Sequence, residues 1–106
     1  MEGTFSSRVW ELAISIPAGR VTSYGAIAKA AGGGKMAARS ISRILSKAPN
    51  QKAIPWHRIV YSDGRVWLEP AYEAARLKLY KKEKIYLNKR GYITNFETVF
   101  YDFTDY

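Results

Sequence analysis

Three observations predict a mainly α domain with small β hairpins. Apolar residues recur at helical spacing in several separate stretches, each closed by proline or glycine. A run of three glycines, "GGGK", parts two short helical stretches, the second of them basic. Downstream, "RIVYSDGRVWL" sets β-branched residues on both sides of a Ser-Asp-Gly turn. At 106 residues, with 47% hydrophobic and 25% charged, the chain suits one folded domain over residues 1–106.

The elements follow in order. "TFSSRVWELAISIP" places Phe5, Val9, Leu12, Ala13 and Ile16 on one helical face and stops at Pro17. "AGRV" is a turn, after which Thr22 or Ser23 caps a short helix carrying Tyr24, Ile27, Ala28 and Ala31. After the glycines, a third helix runs from Met36 to about Ala48, ended by Pro49 and Asn50. "RIVYSDGRVWL" is read as two short strands joined at Ser62, Asp63 and Gly64. Pro70 opens a further helix, "PAYEAARLKLYKKEK", with Tyr72, Ala75, Leu79 and the stem of Lys82 on one side. The last stretch alternates weakly and turns at Arg90 and Gly91, which suggests a small hairpin.

Two short helices joined by a glycine turn outline a helix-turn-helix, and a hairpin behind it is the wing of a winged-helix DNA-binding domain. The third helix supports this. Ile41, Ile44, Leu45 and Ala48 are spaced to pack inward, whereas Arg39, Arg43 and Lys47 recur every four residues on another side. Ala37, Ala38, Ser40, Ser42 and Ser46 lie around those cations, small enough to let the backbone approach a groove. Charge agrees: of a net +8, residues 15 to 65 carry nine cations against Asp63 alone. A concentrated positive field favours polyanions, whose condensed counterions are released on binding.

Other classes are excluded. The chain has no cysteine and one histidine, which removes disulfides, thiolate nucleophiles and a side-chain zinc site; no catalytic residue, metal or cofactor is expected. No apolar run approaches the roughly 20 residues that span a bilayer, so no membrane partner is expected. "MEGTFSSRVW" lacks the apolar stretch of a signal peptide, and the protein is read as intracellular.

"IPAGRVTSYGAIAKAAG", "AARSISRIL" and "IPWHRIVYSDGRV" resemble, in this order and spacing, the DNA-binding and active-site domain of the O6-alkylguanine-DNA alkyltransferases, over roughly residues 5 to 85. In that family the position of Trp56 holds the cysteine that accepts the alkyl group. The resemblance is therefore to the alkyltransferase-like proteins, the branch with tryptophan there. It implies that Tyr24 crowds the phosphate of the target nucleotide and rotates it outward, and that Arg39 enters the stack in its place. It also implies that His57 and Arg58 follow the reactive position, and that Ser62 is a turn serine near the DNA backbone. Glu83 matches the glutamate of the histidine's proton relay, with Lys84 where a glycine usually follows.

The implied function is non-enzymatic damage recognition in double-stranded DNA. A duplex containing O6-alkylguanine would meet a DNA-binding surface of Tyr24, Ala38, Arg39, Ser40, Arg43, Lys47 and Ser62. The flipped base would enter a lesion pocket lined by Tyr24, Leu45, Pro55, Trp56, Ile59, Val66 and Trp67. The resemblance further implies a handover to nucleotide excision repair proteins, for which the acidic aromatic tail from Phe96 to Tyr106 is a candidate surface. A monomer in the cytoplasm (nucleoid) or nucleus is expected. The alternative reading is an ordinary winged-helix regulator that binds one DNA sequence.

Overall fold

The computed structural model describes residues 4–33 and 38–104. The elements are α1 (Phe5–Ile14), β1 (Thr22–Ser23), α2 (Tyr24–Ala30), α3 (Ala38–Ser46), 3-10 turns at Gln51–Ala53 and Trp56–Arg58, β2 (Ile59–Val60), α4 (Glu73–Lys82) and α5 (Phe96–Val99). The expected start of the third helix at Met36, with Ala37, lies outside the described residues.

Local chemistry sets the first three helices. Thr4 caps α1 by accepting the Ser7 N–H, and Ser23, not Thr22, caps α2 by accepting the Ala26 N–H. Thr22 is instead buried in β1. Val9, Leu12 and Ala13 of α1 meet Ile27 and Ala28 of α2 and Ile41 and Leu45 of α3 in one core. Two polar ties fix the angles of this packing. The Trp10 indole N–H donates to the Ile44 carbonyl (2.8 Å), and Arg8 Nε donates to the Ala31 carbonyl at the end of α2 (2.9 Å).

The wing departs from the sequence reading. Ile59–Val60 does not pair across the Ser62–Gly64 turn; it pairs in parallel with Thr22–Ser23, Thr22 opposite Ile59 and Ser23 opposite Val60. The turn itself forms, with Tyr61 N–H on the Arg65 carbonyl (3.0 Å) and Gly64 N–H on the Tyr61 carbonyl (2.9 Å). Gly64 then sends the chain to a different partner. Its φ is +87°, and a Cβ there would lie 3.1 Å from the Phe96 ring, so any other residue would strain the backbone and push the ring aside. Beyond it Arg65 bridges Tyr92 in antiparallel fashion. The hairpin expected at Arg90 and Gly91 forms, through a Leu87–Ile93 bridge and an Asn88 N–H bond to the Tyr92 carbonyl (2.9 Å).

Two further expectations are corrected. Pro70 precedes α4 by three residues, and the stripe of Tyr72, Ala75 and Leu79 is exposed; the buried residue of α4 is Tyr80. The tail from Phe96 is not a free aromatic surface. Tyr101 and Phe103 are buried in the helical core, and Val99 joins Val21, Val60, Val66, Tyr80, Ile85 and Ile93 in a second core behind the wing. Backbone bonds between Val21 and both Val99 (2.9 Å) and Tyr101 (2.7 Å) hold it there. Asp105 and Tyr106 lie outside the described residues. No helix among the described residues is long and apolar enough to cross a membrane.

Candidate nucleic-acid interface

The two faces of α3 separate as their spacing demands. Ile41 and Leu45 are fully buried, Ala38 is half-buried against the core, and Arg39, Ser40, Ser42, Arg43, Ser46 and Lys47 are exposed. Arg39 and Arg43, one turn apart on α3, and Lys47 just past its end are thus all open to solvent. Ser62 is also exposed, at the wing turn.

Beside this helix opens a cavity of about 840 Å³. Ser42 of α3 reaches its edge, and Gln51 and Lys52 form its rim. Gln51 is pinned there because its amide donates to the carbonyls of Leu45 (2.8 Å) and Ala48 (3.0 Å) at the end of α3. One wall is Tyr24, at the first position of α2, with Trp56, His57 and Tyr61; the Tyr24 and Tyr61 rings lie 5.9 Å apart. The rest of the lining, a second wall, is Trp67 with Tyr72, Ala75, Arg76 and Leu79. Arg76 holds its guanidinium 5.2 Å from the Trp67 ring.

Of the residues named from sequence as pocket lining, Tyr24, Trp56 and Trp67 stand on these walls. Leu45 (0% exposed), Ile59 (1%) and Val66 (5%) do not: they are core residues, and Pro55 is half-buried away from the walls. Sequence reasoning missed Tyr61, Tyr72, Arg76 and Leu79. A signal was present for Tyr72 and Leu79, which the spacing puts with Ala75 on one side of the helix without saying what that side meets.

Behind Trp56 is a polar knot built on Glu83, the residue that closes α4. His57 Nε2 donates to Glu83 Oε2 (2.8 Å), and Arg58 grips both carboxylate oxygens through Nε (3.1 Å to Oε1) and Nη2 (2.7 Å to Oε2). The Gly19 N–H donates to Glu83 Oε1 (2.9 Å), and Arg58 Nη1 reaches the Ile16 carbonyl (3.0 Å). The knot therefore joins the α1–β1 turn, the Trp56 turn and α4. Desolvation alone would raise the Glu83 pKa, but Arg58, the Gly19 amide and His57 overcome it and bring the carboxyl down to about 2. Burial lowers the pKa of His57 against the pull of Glu83, so the imidazole is neutral at pH 7. Burial likewise raises the Tyr80 phenol to about 12 and that of Tyr24 above its usual value, so neither ionises at neutral pH.

Lys84 shows how the chain leaves this knot. Its φ of +61° is the left-handed conformation glycine adopts freely. The helix end is a Schellman motif, with Ile85 N–H on the Tyr80 carbonyl (2.9 Å) and Lys84 N–H on that of Lys81 (3.1 Å). Ile85 and Tyr80 both lie in the second core, and their burial offsets the strain at Lys84.

A helix-turn-helix with an open cationic face and an aromatic cavity at its side defines a DNA-binding domain. The chain belongs to the family described as 6-O-methylguanine DNA methyltransferase, DNA binding domain, whose profile matches residues 4–85. It is 42% identical over 67 residues to the DNA base-flipping protein of Escherichia coli K12, a match covering 63% of this chain and 51% of that protein. With alkyltransferase-like protein 1 of Schizosaccharomyces pombe it shares 31% over 62 residues, 58% of this chain and 56% of the other. The chain thus spans about half the length of these relatives. In fold it is similar to S. pombe Atl1 in complex with damaged DNA containing O6-carboxymethylguanine (TM-score 0.73, 24% identity, 92% of this chain and 94% of that one). It is also similar to the O6-methylguanine methyltransferase of Mycobacterium tuberculosis (TM-score 0.62, 31% identity, 78% and 50%).

Proposed function

We propose that the protein binds O6-alkylguanine in duplex DNA, turns the damaged nucleotide into the cavity between Trp56 and Trp67, and leaves the alkyl group where it was. The observation that carries this reading is Trp56 itself. It stands on the cavity wall beside His57, where the resembled alkyltransferases hold a cysteine, in a chain with no cysteine at all. Dealkylation requires a soft, strong nucleophile to attack an sp3 carbon, and an indole has no lone pair of that kind. It offers a flat apolar wall on which a base stacks.

Extruding a nucleotide costs a few kcal/mol, less for a damaged base that pairs poorly. Tyr24, at the cavity edge, would displace the phosphate, and Arg39 would fill the gap with a planar guanidinium that hydrogen-bonds the orphaned base. Ala38, Ser40, Arg43, Lys47 and Ser62 would hold the backbone. Docking through the minor groove suits a damage sensor, since that groove carries little sequence information. The relatives named for base flipping, and the similar fold seen on damaged DNA, support the reading. Lesions held without repair would pass to nucleotide excision repair proteins, with the protein acting as a monomer in the nucleoid or nucleus.

The test compares duplexes with and without O6-methylguanine in several sequence contexts. Tighter binding to the modified duplex in every context, with the modified base intact after digestion, is expected. Recovery of plain guanine, or preference for one sequence regardless of modification, would overturn it. In the same assay Arg39→Ala and Tyr24→Phe are expected to erase lesion preference, whereas Arg43→Ala weakens both duplexes alike.

A further inference from the structure

We propose that the Asn88–Gly91 turn, through Lys89 and Arg90, forms a second phosphate-binding edge with Arg65, gripping the DNA backbone on the flank of the cavity away from α3. The inference rests on the DNA-binding reading above but concerns residues 86–93, beyond the segment that matches the family profile.

The turn is attached to the wing and not loosely appended to it. Val66 N–H bonds the Gly91 carbonyl (2.9 Å), Ile93 N–H bonds the Gly64 carbonyl (2.9 Å), and Arg65 and Tyr92 form an antiparallel bridge. Neighbouring strands lie about 4.8 Å apart, so the backbone of the turn runs one strand away from Arg65. Arg65 in turn holds its guanidinium 4.5 Å from the Tyr61 ring, and Tyr61 lies against Tyr24 on the cavity wall. A continuous row thus leads from the residue proposed to rotate the nucleotide, through Tyr61 and Arg65, to Lys89 and Arg90.

Among the described residues Lys89 and Arg90 are in no ion pair, and Arg65 rests its guanidinium on the Tyr61 ring while its charge is left without an acid. Arg65, Lys89 and Arg90 are exposed, and among the described residues the ion pair is that of Glu83 with Arg58, beside the hydrogen bond from His57. Arg20 and Arg76, by contrast, are engaged with backbone carbonyls and aromatic rings. The acid of the wing turn, Asp63, accepts the Arg65 N–H (3.1 Å) with Oδ1 and pairs with none of the three side chains. The turn is also preorganised. Asn88 Oδ1 accepts the N–H groups of Arg90 (2.8 Å) and Tyr92 (3.1 Å), and Gly91 at φ +83° closes it. Two cations on a fixed turn meet a phosphate row with little loss of backbone entropy.

The experiment measures binding of the Lys89→Ala/Arg90→Ala double variant between 50 and 200 mM salt, with and without O6-methylguanine in the duplex. Each lost phosphate contact lowers the log–log salt slope by about 0.9, so loss of two is expected to make the affinity fall roughly 12-fold less across this range. The change is expected on both duplexes, leaving their affinity ratio as in the wild type. Lys89→Arg is expected to keep the slope, and an unchanged urea midpoint of the double variant verifies its fold. An unchanged slope would overturn the proposal and leave the turn to solvent or to an acidic protein partner. Failure of the lesion reading shows separately, as a wild-type protein that binds both duplexes equally; the slope comparison still decides the turn.

Discussion

The two walls of the cavity are held by different means. Tyr24, Trp56 and His57 stand on short elements whose backs are buried, and the Glu83 knot ties the Trp56 turn to α4 and to the α1–β1 turn. Trp67 (42% exposed), Tyr72 (56%) and Leu79 (37%) stand in solvent, with Arg76 as their main brace. The first wall has fixed geometry; the second has room to adjust to what enters. The comparison teaches that a histidine–carboxylate pair keeps a use without a nucleophile. Here it sets the position of one wall, and the exposed surface is the other, where nothing reactive needs aiming.

The strongest way to break this contrast is Glu83→Ala. It removes one acceptor from Arg58, His57 and the Gly19 amide together, and breaking a buried ion pair from one side costs about 3–5 kcal/mol. Urea unfolding measures it; a loss below ~1 kcal/mol would mean that the walls do not differ. Acid is the milder version. Glu83 is held at about 2 in the fold against the ordinary 4.5, and His57 is held below its ordinary 6.5 by burial. In both cases the unfolded chain binds protons first, so stability present at neutral pH declines as pH falls. The loss is expected to begin below pH 6.5 with His57 and to continue from 4.5 toward 2 with Glu83. Urea midpoints at a series of pH values check this, and the lower limb is expected to flatten in Glu83→Ala.

Trp67→Ala sharpens the comparison from the other side. An exposed indole leaves stability within ~1 kcal/mol, whereas losing one base–aromatic stack is expected to reduce affinity for the modified duplex about tenfold. Trp56→Ala is expected to lower both. Calorimetry and binding titration separate them, and equal loss of stability from the two would make the open wall as structural as the other. The smallest effect is at the junction of the walls. Lys84→Gly relieves a left-handed lysine and is expected to raise stability by about 0.5–1 kcal/mol, seen as a higher Tm with DNA affinity nearly unchanged.

The helix-turn-helix was legible because its information is local. The four-residue recurrence of Arg39, Arg43 and Lys47 against Ile41 and Leu45 is enough to orient α3. The wing was legible as strands and a turn but not in its pairing. Ile59–Val60 takes Thr22–Ser23 as partner, and no pattern within residues 58–68 names a strand so far away. Periodicity placed Tyr72, Ala75 and Leu79 on one face without saying whether core or cavity lay beyond it. Of the expected pocket lining, the aromatic residues Tyr24, Trp56 and Trp67 line the opening, whereas the aliphatic Leu45, Ile59 and Val66 went to the core. In the tail, acids among aromatics suggested a surface. The weak alternation of this stretch was the truer signal: Val99, Tyr101 and Phe103 are buried while Asp102 and Thr104 are exposed.

That buried alternation separates two units that are easily taken for one. The segment shared with the family profile stops at residue 85, yet the side chains of Val99, Tyr101 and Phe103 complete hydrophobic clusters that begin in α1 and at Val21. The profile match and the cooperative core therefore have different boundaries in this chain. A chimera joined at residue 85, with a relative's sequence continuing beyond it, would carry the whole profile-matched segment and still have a hole in each cluster, unless the grafted continuation supplied its own apolar residues at every second position.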